Sequence, residues 1–154
     1  MLLPALVLLL SSCDLIAPED GRQRAELEHA WRTWQARDIR SYEYVQQRLC
    51  YCLLEAVAPV RITVRGSLVA DVRYAEDGTA VPLEFSALWG TVDDLFRLID
   101  EAIDLHAESL HVTYDRALGY PTHASIDYHS GVADDELTIT ASGLRAIAAL
   151  ATAG

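Results

Sequence analysis

The chain has 154 residues and a net charge of −11, with 12 Arg, no Lys and 23 acidic residues. Such a surface repels nucleic acid and anionic lipid headgroups, which excludes both as electrostatic partners. The length allows one domain with a proper core, and basic residues that are all Arg read as the imprint of a GC-rich genome rather than phosphate recognition.

Met1 to Leu10 is almost wholly apolar but too short to cross a bilayer, which takes about twenty apolar residues. A run of that length suits the core of a signal peptide. It ends in Leu10-Ser11-Ser12-Cys13, which resembles a bacterial lipobox. The small residues let a peptidase approach the backbone, and only a thiol takes the diacylglyceryl group. The resemblance implies that Cys13 becomes an acylated N-terminus, lipid being the one covalent addition and no other cofactor expected. The lipid would hold the chain at the extracytoplasmic face of a bacterial membrane. Asp14 resembles the signal that retains some lipoproteins at the inner membrane. Residues 1–12 are then signal, 13–24 a tether containing Pro18 and Gly21, and 25–154 one domain.

Leu27, Ala30, Trp31 and Trp34 recur at helical spacing and predict a helix from Ala25 to about Arg37. Ser41 to Leu53 reads as a Tyr-rich strand. Val60, Ile62 and Val64 alternate with Arg61, Thr63 and Arg65, and Gly66-Ser67 turns that strand into another, Leu68 to Tyr74. Pro82 to Gly90 has no clear period. Thr91 is suited to cap a helix running to about His106, with Asp93 and Asp94 in the first turn. Alternation then predicts strands around Leu110 to Asp115, His123 to His129 and Glu136 to Thr140, and a short helix from Gly143 to about Ala151. The order α-β-β-β-α-β-β-β predicts an α+β domain with a mainly antiparallel sheet of five or six strands. Its two main helices cover one face and the other face meets water.

Several segments together resemble the DUF6174 family of uncharacterised bacterial proteins, many of them lipoproteins. They are the Tyr-rich strand ending Cys50-Tyr51-Cys52, the Val60 to Val72 hairpin and Thr91-Val92-Asp93-Asp94-Leu95-Phe96. Tyr114-Asp115, Gly119-Tyr120-Pro121, Asp127 and Asp134-Asp135-Glu136 complete the set. The resemblance spans about Trp31 to Ser142. It implies a shared fold and an export address, and brings no assigned activity and no catalytic residue.

With Cys13 given to lipid, Cys50 and Cys52 remain as a pair on one face of a predicted strand. Three fates are open: a structural disulfide, the default outside the cytoplasm; a labile redox pair; or two ligands of a metal site completed by His. His111, His123 and His129 alternate onto a polar face with Asp115 and Asp127, a set open to zinc or copper and equally to plain solvation. Asp127, Asp134, Asp135 and Glu136 bracket a hairpin loop. They are weak calcium candidates, because the spacing is not that of an EF-hand and turn carboxylates commonly bind backbone amides. Neither G-x-S-x-G, H-E-x-x-H nor a Gly-rich phosphate loop occurs. The expectation is therefore a membrane-anchored, non-enzymatic binding module. Its candidate ligand face carries Arg48, Cys50, Cys52, Arg61, Arg65, His111, His123 and His129 and suits an anionic or peptide ligand. A thiol-redox or metal-handling role for Cys50 and Cys52 is the alternative.

Overall fold

The computed structural model describes residues 19–129, 131–132 and 135–148, so the signal segment, Cys13 and Asp134 lie outside the described residues. Helix α1 spans Glu19–Gln35, and strand β1, Tyr42–Leu49, follows it. A short helix α2 (Leu54–Val57) leads to the hairpin β2 (Val60–Arg65) and β3 (Leu68–Tyr74). The one-turn α3 (Leu83–Ser86) precedes α4 (Val92–Asp104), and β4 (Ser109–Tyr114), β5 (Pro121–Asp127) and β6 (Glu136–Ala146) complete the fold. The six strands form one sheet in the order β3-β2-β1-β6-β5-β4, with every pairing antiparallel. The chain's first and last strands thus meet at the sheet's centre.

Helix α1 begins six residues before the apolar stripe would place it, since Glu19 and Asp20 in the first turn complement the helix dipole. In α4 the cap works as its sequence implies. The Asp94 amide donates to Thr91 Oγ1 at 3.2 Å, and the Thr91 amide donates to Asp94 Oδ2 at 2.7 Å. In the β2–β3 turn Gly66 (φ 57°) and Ser67 (φ 67°) both sit in the left-handed region, as a tight I′ hairpin requires.

Over the described residues the helix expected from Gly143 to about Ala151 does not form, residues 149–151 lying outside them, and β6 instead runs on to Ala146. Its partner β1 explains this. Glu43 faces Arg145 while Val45 faces Ser142, so β6 carries one residue more than β1 across that step. Gly143 absorbs the bulge at φ 64°, a conformation that a helix interior cannot use.

The core lies between one sheet face and the two long helices. Tyr44, Val60, Ile62, Val64, Ile126 and Ile139 meet Val92, Leu95, Phe96 and Ile99 of α4 and Leu27, Ala30 and Trp34 of α1. Trp31 packs edge-on against Phe96, with ring centroids 4.8 Å apart. Gly119 lies so close to α1 that an added Cβ would stand 2.5 Å from the Ala30 carbonyl oxygen. The helices run antiparallel. Trp34 donates to Asp93 at one end of the pair, and Arg24 bridges Asp100 and Asp104 toward the other.

The open sheet face and the sulfur tip as candidate functional site

Because side chains alternate along a strand, packing Tyr42, Tyr44 and Gln46 against the helices sends Glu43, Val45 and Gln47 to the opposite face. Register extends that face across the sheet. One row holds Thr113, His123, Thr140 and Gln47; the next holds His111, Ser125, Thr138 and Leu49. Toward the other edge Val45, Arg61 and Arg73 form a row beside one of Glu43, Thr63 and Asp71. The face is therefore hydroxyl- and imidazole-rich on the β4-β5-β6 side and arginine-rich on the β1-β2-β3 side.

The four arginines on this face differ in their commitments. Arg73 Nε contacts Asp71 at 2.6 Å, and Arg145 Nη2 contacts Glu43 at 2.5 Å. Arg65 donates to the Ala148 carbonyl at 3.3 Å. Arg61 is exposed, with no side-chain partner among the described residues. Two carboxylates against four guanidiniums leave this half of the face cationic on a strongly acidic protein. Arg73 and Arg145 escaped the sequence reading. Extending the β2 alternation across the hairpin would have found Arg73, whereas Arg145 was hidden by the expected C-terminal helix.

Arg48 stands apart from the other members of the expected ligand face. It shares the alternation of Tyr44 and Gln46, lies opposite Ile139, and points to the helix-covered side. There its guanidinium donates to the Leu88 carbonyl at 3.2 Å, and burial lowers its pKa. His111 and His123 do share the open face. His111 lies opposite Ser125 and His123 opposite Thr113, so the two imidazoles are diagonal neighbours, on the order of 7–8 Å apart at that spacing. His129 lies beyond the end of β5, its Nδ1 2.7 Å from Asp135 Oδ2.

The acidic loop residues are engaged locally. Asp127 Oδ1 accepts the His129 amide at 3.0 Å, and Glu136 faces Asp127 across the β5–β6 register. Among the described residues, no group of three or more His, Cys, Asp or Glu side chains is placed to hold a metal ion.

Strand β1 ends at Leu49, four residues before the sequence pattern suggests, because the chain pinches there. The Cys52 amide donates to the Cys50 carbonyl at 2.8 Å, and a disulfide joins the two residues with Cα atoms 5.2 Å apart. An unbent strand would hold such a pair about 6.5–7 Å apart, so the turn is what brings the sulfurs within bonding range. The tip is exposed: Tyr51, inside the ring, is 87% exposed and Leu53 66%.

No curated protein and no solved structure matches this chain. A family model does match, over residues 26–146, which takes in every helix and strand described above apart from the first turns of α1. The chain therefore belongs to DUF6174, a family of unknown function.

Proposed function

We propose that this protein is a lipid-anchored, non-enzymatic binding module of the bacterial cell envelope, and that its open sheet face holds the ligand. One observation carries the reading: both long helices pack on a single face of a six-stranded sheet, leaving the other face without a covering element among the described residues. The arginine half of that face suits an anionic ligand such as a carboxylate-bearing peptide, with Arg61 as the free cation and Arg65 about 13 Å further along the same strand face. The anchor is argued from the lipobox-like sequence ending in Cys13.

Titration of the full chain with tetraglutamate, read by amide chemical shifts, tests the ligand face. Shifts are expected around Arg61, Thr63 and Arg65, and Arg61→Ala with Arg65→Ala together should abolish them. Shifts that persist in the double variant would place the anion elsewhere and sink the reading.

The exposed Cys50–Cys52 bridge favours a second reading, thiol–disulfide exchange with a partner dithiol. A partner thiolate would attack one sulfur, the other would leave as thiolate, and a second partner thiol would complete oxidation of the partner. Rapid loss of the bridge in a glutathione redox buffer supports this second reading; resistance to reduction removes it.

A further inference from the structure

The two ends of the sheet differ sharply in character. At one end β1 and β5 finish, β4 and β6 begin, and α4 delivers its C-terminus. Helix α1 starts at this same end: Asp20 lies 2.7 Å from His106 Nδ1, and Gln23 Nε2 donates to the Leu110 carbonyl at 3.0 Å. Among the described residues, five of the nine exposed large apolar side chains lie at this end, namely Leu49, Tyr51, Leu53, Leu105 and Val132. The opposite end, at the β2–β3 turn, carries only Leu68 and Val69 of the nine.

Five residues, Asp14 to Pro18, separate Cys13 from Glu19 at the start of α1. A chain of that length reaches about 20 Å even when fully extended. A lipid on Cys13 therefore brings the apolar end, and not the β2–β3 turn, to the bilayer.

We propose that the sulfur tip is a membrane-docking surface, and that Tyr51 and Leu53 enter the interfacial zone of a zwitterionic phospholipid bilayer while Cys13 supplies the anchor. The proposal rests on the lipoprotein reading given above. The aromatic ring of Tyr51 has an apolar body and a polar tip, which suits the headgroup region. Charge selects the lipid. Glu19, Asp20, Glu55, Glu76 and Asp77 lie at or next to this end and oppose anionic headgroups, so a neutral bilayer is the favoured surface. Docked this way, the open sheet face stands across the bilayer plane, free on its side for ligand.

The test uses the full chain, processed and acylated in a bacterial host and placed in phosphatidylcholine vesicles with brominated acyl chains. Tyr51→Trp and Leu68→Trp put one extra indole at each end, and both sites are exposed enough to leave the core intact. Emission from the indole at position 51 should fall roughly twofold relative to unbrominated vesicles, as expected for side chains seated at the headgroup–acyl boundary. Emission at position 68 should not change. Adding phosphatidylglycerol at low salt should weaken the quenching, and Leu53→Ser should weaken it further. Acyl mass on Cys13 with equal, unquenched emission at both positions would overturn the docking while leaving the anchor intact. Absence of acyl mass would overturn the anchor and the docking together. Cross-links between two copies through this end, without quenching, would mean a second copy covers the tip and would also overturn the proposal.

Discussion

Two residues show how local hydrogen bonding fixes the domain. Burial works against the Asp94 carboxylate. The Thr91 amide, the Thr91 hydroxyl and Arg97 outweigh it, and its pKa falls below the ordinary value. A carboxylate depressed in the folded state stabilises at neutral pH, and that contribution is lost as pH drops through the depressed value. Thr91→Ala should therefore cost about 1 kcal/mol at pH 7. It should also move the Asp94 titration upward, readable by carboxyl NMR, and the cost should shrink in acid. An unshifted Asp94 titration would show that the cap does not set it. The second residue is Tyr44, buried so fully that ionisation is strongly disfavoured and its pKa rises well above the usual value. Its hydroxyl lies 2.6 Å from the Gly90 carbonyl and 2.9 Å from the buried Gln46 amide. The hydroxyl thus has two acceptors in reach, the Gly90 carbonyl and Gln46 Oε1, and is the donor to both. Tyr44→Phe leaves both partners unsatisfied and should cost about 1–3 kcal/mol in chemical denaturation. A neutral result would mean that water replaces the hydroxyl.

At the scale of elements, apolar periodicity made most of the architecture legible. The stripe of α4 and the alternation in β2, β4 and β5 translate directly into buried faces. Three features were not legible, each because tertiary geometry overrides a local pattern. Which face Arg48 takes depends on which parity of β1 is buried, and the sequence leaves that open because Tyr42 and Tyr44 lie on one parity and Val45 and Leu49 on the other. The last strand read as a helix because its Leu and Ala content hides the pairing with β1 that the Gly143 bulge makes possible. The open-face pair Arg145–Glu43 joins two strands and depends on register, which a sequence does not carry, whereas Arg73–Asp71, two apart on β3, follows from alternation. The disulfide tip was legible as a pair of cysteines that needs a bend to bridge, but not as the end of β1 at Leu49. Its ring spans three residues, and loop entropy gives such a ring only about 1.6 kcal/mol. Cys50→Ala with Cys52→Ala should therefore lower stability modestly and leave circular dichroism unchanged. Global unfolding of the double variant would instead make the bridge a structural keystone, and would count against both an exchange role and a merely peripheral one.

For the whole molecule, the parts describe a domain with two unlike faces and two unlike ends. Helices cover one face, arginine and hydroxyl side chains occupy the other, and the start of α1 shares an end with the sulfur tip. With 23 acidic residues against 12 arginines, the concentration of Arg61, Arg65, Arg73 and Arg145 on one half-face is a local inversion of the overall charge. Anion binding there should weaken as ionic strength rises, because exposed charges are screened within about 8 Å at physiological salt. In the proposed role the chain works outside the cytoplasm, where the Cys50–Cys52 bridge would persist and a lipid on Cys13 would fix its position. The most direct test is the intact mass of the native protein extracted from host membranes. The account predicts a polypeptide beginning at Cys13, heavier by its acyl groups and lighter by the two hydrogens lost in forming the bridge. A chain still beginning at Met1, unmodified and recovered from the soluble fraction with free thiols, would contradict it.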